Sequence, residues 1–244
     1  MQKLNGQSNI CHLFNFGFEN QTCYMAIELA DSDLETMIID KQKFDKYEVA
    51  WQVSNALEQC HKHGIVHRDI KTQNVLCFHR NQRWTYKLAD FGIAGLIDAD
   101  GKVRRLHSAE AGPTGCKAPE MFEPVYGPEV DVFSLASAGN LVLLYVEAEE
   151  IKFLATLTES ESNSYKIKEI KTASLDDFYG HLDVDLVDIL KKLMEPSPQK
   201  RMTVKEFRDS TFLQEFKNKH VVSNLEASKM HSNVICRRLT RILR

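Results

Sequence analysis

The hydrophobic pattern of this chain changes period once. His12-Leu13-Phe14-Asn15-Phe16-Gly17 and Cys23-Tyr24-Met25-Ala26-Ile27 are short apolar-rich runs on either side of Glu19-Asn20-Gln21. Runs of that length around a polar break predict two strands joined as a hairpin. From about Tyr47 the spacing becomes helical: Val49, Val53, Ala56, Leu57 and Cys60 share a face, and Gly64 follows as a C-terminal stop. Asp131 to Ala148 is apolar on most faces, which predicts a buried central helix. Leu186, Ile189, Leu190 and Leu193 predict an amphipathic helix that stops near Pro196 and Pro198. Thr203-Val204-Lys205-Glu206 opens another with an N-cap signal. Strands therefore come first and helices dominate afterwards, a small sheet edge leading into a mainly helical body. No internal repeat, low-complexity tract or Pro/Gly/Ser-rich linker interrupts the order.

Composition narrows the class. With 244 residues, 43% hydrophobic and 27% charged, the chain has the balance of a globular protein with room for a sizeable core. Lys plus Arg total 31 against 34 Asp plus Glu, a net charge of −3 that excludes a bulk nucleic-acid coat. The longest apolar run, Leu141 to Val146, is too short to span a bilayer, and Met1 to Gly6 has no apolar signal core. The six cysteines, at 11, 23, 60, 77, 116 and 236, form no C-x-x-C pair. They read as reduced, mostly buried thiols in a cytosol-like compartment rather than as zinc or redox ligands.

The chemistry concentrates in residues 65–77, Ile-Val-His-Arg-Asp-Ile-Lys-Thr-Gln-Asn-Val-Leu-Cys. Asp69, Lys71 and Asn74 share a short loop after a helix, and Asp90-Phe91-Gly92 follows. Further on come Ala118-Pro119-Glu120, then Asp131-Val132-Phe133-Ser134, then Arg201. Taken singly, Asp69 reads as a surface carboxylate, Asp90 as a turn former and Lys71 as a solvated charge. His61 and His63 read as solvent-facing residues at a helix end. Taken together, in this order and with the full H-R-D-x-x-x-x-N spacing, the segments resemble the C-lobe of a serine/threonine protein kinase.

The resemblance covers about residues 7–213 and implies an α+β, protein-kinase-like fold: a mainly α-helical C-lobe with a remnant of the N-lobe β-sheet. It implies a partial N-lobe with the hinge at residues 1–30, a C-lobe at 31–216 and a helical, basic tail at 217–244. It implies ATP and Mg²⁺ as cofactors and a protein hydroxyl as acceptor. Asp69 would orient the acceptor hydroxyl, Lys71 would face the γ-phosphate, and Asn74 and Asp90 would be the metal ligands. Lys at the second position after the Asp is the serine/threonine form. Tyr24 to Ala30 looks like the fifth strand running into the hinge. Ile27 would then be the gatekeeper, the Glu28 carbonyl and the Ala30 backbone would face adenine, and Leu76 would floor the adenine pocket. Glu120 and Arg201 would pair to anchor the activation segment, and Asp131 would hold the catalytic-loop backbone. Arg68 would meet a phosphate in that segment, with Ser108 and Thr114 as candidate sites.

The sequence also departs from the family pattern. No two glycines stand at i and i+2, so it holds no Gly-x-Gly-x-x-Gly loop. A strand-three Lys and a helix-C Glu have no candidates before Gln7-Ser8-Asn9-Ile10, which resembles the turn after helix C. The chain is expected to start inside the N-lobe, with impaired catalysis. Pro113 stands where a Thr is usual. A non-catalytic, kinase-like interaction module is the alternative. Tyr24 to Leu34, Gly115 to Glu120, Asp131 to Ser134, Thr211-Phe212-Leu213 and Val221 to Glu226 resemble the inositol-requiring kinase/ribonuclease family, although Arg244 comes too soon for a ribonuclease module. The basic tail Arg237 to Arg244 reads as a terminal helix rather than a clear nucleic-acid or membrane site. The expected setting is the cytoplasm, or the cytosolic part of a membrane-anchored parent. A homodimer is left open.

Overall fold

A computed structural model describes residues 1–20, 22–104, 117–137 and 184–214. Strand β1 (Leu13–Glu19) pairs antiparallel with β2 (Thr22–Ile27), the hairpin that the apolar runs predict. A register shift between Leu13 and Asn15 places a bulge near its base. The short β3 (Ser32–Asp33) leads into helix α1 (Leu34–Ile39), where Asp33 caps the first turn by accepting from the Thr36 N–H at 2.9 Å.

Helix α2 (Lys46–Lys62) is the long helix of the periodic segment. Asp45 caps it by accepting from the N–H groups of Tyr47 and Glu48, at 2.9 and 3.2 Å. It ends at His63, followed by Gly64 at φ +69°, a left-handed stop that glycine adopts without strain. Strand β4 (Ile65–Val66) follows. Then β5 (Val75–Arg80) and β6 (Arg83–Leu88) form a second hairpin, which joins β3 in the order β3-β5-β6. Its turn residues Asn81 and Gln82 both have positive φ, +51° and +62°, matching the right-handed twist of the strands. Neither α1 nor the β5–β6 hairpin is announced by the hydrophobic pattern.

Strand β7 (Gly95–Leu96) pairs with β4, and β8 (Val103–Arg104) with β9 (Val125–Tyr126). Helix α3 (Glu129–Ala136) is buried from Val130 to Ala136 and ends at Ser137, whose extended backbone (φ −69°, ψ 167°) cannot continue a helix; this corrects the expectation of one unbroken helix from Asp131 to Ala148, of which residues 138–148 lie outside the described residues. Helix α4 (Val184–Leu193) packs on α3. Helix α5 (Val204–Asp209) packs on α2, and its capping box is complete between Thr203 and Glu206.

The main core centres on α2, with Met37, Leu57, Leu88, Leu190, Leu193 and Phe207 buried together. A second cluster joins Val66, Val103, Tyr126, Val130 and Phe133. Among the described residues, Cys11, Cys23, Cys60 and Cys77 are free thiols, and no helix is long and apolar enough to cross a membrane.

One buried carboxylate ties the helical body to the loop after β4. Asp131, fully buried on α3, accepts from the backbone N–H of His67 through Oδ2 and of Arg68 through Oδ1, both at 2.8 Å. His61 Nε2 lies 2.9 Å from the same Oδ2. This corrects the expectation that His61 faces solvent: it turns inward because the buried carboxylate needs a third donor. Burial alone would raise the Asp131 carboxyl. The hydrogen bond and charge of His61, then His67 and the Arg68 N–H, outweigh it and hold the group below the usual carboxylate range. A carboxylate depressed in the folded state adds stability above its unfolded pKa and loses it as pH falls through the folded one. Asp131→Asn should cost about 3 kcal/mol at pH 7 by urea denaturation, because an amide NH₂ would face one of the two buried backbone N–H groups and leave it without an acceptor. The gap to wild type should narrow as pH drops below about 4.

Candidate active site

The loop between β4 and β5 is built around His67, which is fully buried. The Asp69 N–H donates to His67 Nδ1 at 3.2 Å, and His67 Nε2 faces the Ala89 carbonyl at 2.9 Å. Nε2 therefore carries the proton and Nδ1 accepts, a neutral ring. Desolvation by burial pushes the His67 pKa down in keeping with that state. The ring also lies edge-on to Phe91, with centroids 4.7 Å apart. One imidazole thus links the segment carrying Asp69 to the segment carrying Asp90.

Asp69, Lys71 and Asn74 are in direct contact. Lys71 Nζ donates to Asp69 Oδ2 at 2.6 Å. Asn74 Nδ2 donates to the same Oδ2 at 2.9 Å and to the Asp69 carbonyl at 2.8 Å. These bonds commit the amide nitrogen of Asn74 and leave its Oδ1 as the oxygen for a cation. They also load one oxygen of Asp69 and leave the other, Oδ1, for a further donor. The pair is partly open: the side chains of Lys71 and Asp69 are 24% and 13% exposed.

Asp90 comes in from the next strand. The Ala89 N–H donates to the Asn74 carbonyl at 2.9 Å, one rung beyond the Val75–Leu88 pairing. Asp90 is exposed, at φ +57°, and its Oδ1 accepts from the Gly92 N–H at 3.1 Å. An amide oxygen and a carboxylate held on adjacent backbone segments are hard donors of the kind Mg²⁺ takes while it keeps water and phosphate oxygens. The residues present therefore fit that metal.

The other predicted positions lie along the chain between β2 and β5. Ile27 ends β2, and Glu28 and Ala30 are half-buried. The Asp31 N–H donates to the Cys77 carbonyl at 3.0 Å, and Leu76 pairs with Asp33 on one side and Lys87 on the other. Leu76 thus sits between the chain that follows Ala30 and the strand that leads to Asp90. Glu120 and Arg201 form the expected ion pair: Arg201 Nη1 meets Glu120 Oε1, and Nη2 donates to Oε2 at 3.0 Å. Arg201 also donates to the carbonyls of Glu129 and Glu195, at 2.9 and 2.8 Å, and lies over the Phe133 ring.

Arg68 departs from ordinary backbone, at φ +70°. Its Nε donates to the Ile93 carbonyl at 2.5 Å and its Nη1 to the Tyr126 hydroxyl at 3.3 Å, while the buried Nη2 has no partner among the described residues. Ser108, Pro113 and Thr114, the apolar run from Leu141 and the tail from Lys217 lie outside the described residues. The motifs did not single out Lys87 or Gln52, which hold the strands around the site. Their signal is a hydrogen-bond geometry with no fixed spacing in sequence.

The family model for the protein kinase domain matches residues 1–213. Over 259 residues the chain is 29% identical to extracellular signal-regulated kinase 2 of Dictyostelium discoideum, covering 89% of this chain and 66% of that protein. It is 25% identical over 227 residues to calcium-dependent protein kinase 14 of Arabidopsis thaliana, covering 91% of this chain and 41% of that one. It is 28% identical over 216 residues to cyclin-dependent kinase 12 of Drosophila melanogaster, covering 78% and 18%. The chain therefore spans just under two thirds of the first relative and less than half of the other two. The likeness to the inositol-requiring branch rests on the short sequence patches alone. With the H-R-D loop, the D-F-G segment and the Glu–Arg anchor in place, the chain belongs to the eukaryotic serine/threonine protein kinase superfamily.

Proposed function

We propose that this chain binds ATP with Mg²⁺ and transfers the γ-phosphoryl group to a protein serine or threonine hydroxyl, with residues 1–30 and 31–216 as the two lobes that meet at the nucleotide. The reading is carried by one observation: Asp69, Lys71 and Asn74 form a single hydrogen-bonded cluster, and the Ala89–Asn74 bond brings Asp90 beside it. Phosphoryl transfer asks mainly for positioning and charge stabilisation. Asp69 Oδ1, the oxygen not taken by Lys71 and Asn74, accepts the proton of the acceptor hydroxyl. The hydroxyl oxygen forms the new bond to the γ-phosphorus as the bridging P–O bond breaks and ADP leaves. Lys71 Nζ, held beside Asp69, offsets the charge of the transferring group. Asn74 Oδ1 and the Asp90 carboxylate would hold Mg²⁺, whose chemistry when bound is to offset the charge of the phosphate oxygens. The Glu28 carbonyl and the Ala30 backbone meet adenine, and Leu76 packs beneath it. The setting that best suits free thiols is the cytosol.

A second reading is a kinase-like module that binds nucleotide and partners without transferring the phosphoryl group.

The two readings separate in one series. Mg²⁺-dependent stabilisation by ATP, read as a melting shift at millimolar nucleotide, is expected for both. Asp90→Asn should lose the Mg²⁺-dependent part of that shift. Transfer to a mixed serine/threonine protein substrate should fall about 10²–10⁴-fold in Asp69→Asn with the shift retained. A shift without transfer in wild type establishes the second reading, and no shift with any nucleotide overturns both. A phosphate in residues 105–116, on Ser108 or Thr114, would pair with the guanidinium of Arg68. Phosphopeptide mapping of active protein should find it, and a fully active, unmodified segment would exclude that gating.

A further inference from the structure

Glu28 and Lys87 form an ion pair that the motifs do not explain. Lys87 Nζ donates to both carboxylate oxygens of Glu28, each at 2.7 Å. The side chains are 24% and 18% exposed, so water screens the pair less than it screens a surface bridge. The Lys87 ammonium also lies 4.9 Å from the centre of the Phe78 ring.

The pair closes a circuit. Glu28 Oε1 accepts from the His12 N–H at 2.6 Å, and the Glu28 N–H donates to the His12 carbonyl at 3.1 Å. Residues 9–11 are in turn bound to β6: the Leu88 N–H donates to the Asn9 carbonyl at 2.8 Å, and the Cys11 N–H to the Leu88 carbonyl at 2.9 Å. Asn9, at φ +61°, is fixed by Nδ2 bonds to Gln52 Oε1 and the Tyr86 carbonyl, at 2.7 and 2.9 Å. The circuit runs from Glu28 through His12, Cys11 and Leu88 to Lys87 and back.

Its two ends are the two ends of the nucleotide site. Glu28 opens the segment 28–30, and Lys87 lies three residues before Asp90 on the strand that pairs with Leu76. We propose that the Glu28–Lys87 pair fixes the separation between the adenine-binding backbone and the metal-binding carboxylate, which makes Lys87 a positioning residue for MgATP. The inference rests on the nucleotide site proposed above. A ligand held at both ends gains from two sites only when their spacing matches its own, whereas a ligand held at one end is indifferent to that spacing.

The test compares MgATP with adenosine, by titration calorimetry on the full chain. Lys87→Met keeps the aliphatic stem on Phe78 and removes the charge. It should weaken MgATP roughly 5–10-fold and change adenosine less than about twofold. Lys87→Arg, which keeps the positive charge beside Glu28, should retain most of the MgATP affinity. Equal losses for both ligands, together with a lowered melting temperature, would show a merely structural pair and overturn the proposal. So would an unchanged MgATP affinity. If wild type binds neither ligand, the nucleotide-site reading itself fails and takes this inference with it, a result distinct from either of those.

Discussion

The site depends on a carboxylate that never meets solvent. Asp131 accepts two successive backbone N–H groups, those of His67 and Arg68, and so dictates the path of the chain into Asp69. Arg68 is held at φ +70°, a conformation that costs a non-glycine residue of order 1 kcal/mol or more. The Asp131 hydrogen bond to its N–H and the buried contacts of its guanidinium offset that cost. Without the tether, the loop would relax toward ordinary backbone, and Asp69 would leave Lys71 and Asn74. An inward-facing His61 makes the arrangement self-consistent, because a lone buried anion would instead take up a proton.

What could be read from residues alone follows from how local each signal is. The face Val49-Val53-Ala56-Leu57-Cys60 gives α2 because helical period is a short-range property, and Gly64 marks its end for a steric reason that needs no neighbour. Asp69, Lys71 and Asn74 are legible because one loop carries them at fixed spacing. The Glu120–Arg201 pair was reachable only through the family resemblance, since 81 residues separate its partners. The β5–β6 hairpin stays hidden because Asn81 and Gln82 take left-handed backbone in a turn without glycine. His61 misleads for the opposite reason: a polar residue at a helix end looks solvated until the carboxylate it faces is placed beside it. Lys87 reads as one of 31 basic residues, and only the fold brings it to Glu28.

These polar contacts also differ in what their burial permits. Arg201 is fully surrounded: its guanidinium meets Glu120, the carbonyls of Glu129, Glu195 and Pro196 and the Phe133 ring, so it has no capacity left for a ligand. Such a satisfied group holds a segment in place. The Asp69–Lys71 pair is smaller and partly open, and one carboxylate oxygen has no partner among the described residues. A group of that kind can exchange a partner, which is what proton acceptance requires. The difference lies in how many hydrogen-bonding positions each environment fills, rather than in the residue types.

A gradient follows from this difference. Asp131 and His67 are fully buried, Asn74 nearly so, Asp69 and Lys71 are partly open, and Asp90 is exposed. The inner members orient the outer ones: Asp131 sets the His67 backbone, His67 sets the Asp69 backbone, and the nearly buried Asn74 amide donates to Asp69. Rigidity is thus supplied from the interior, where hydrogen bonds are strongest and exchange with water is least. Access is left to the outer members, where a charged ligand could enter without stripping every water from its partners. The reverse order would bury the open carboxylates and leave the tether to be competed away by solvent. On this physical ground the inner carboxylate is the scaffold, and the outer ones are the groups left open to a ligand.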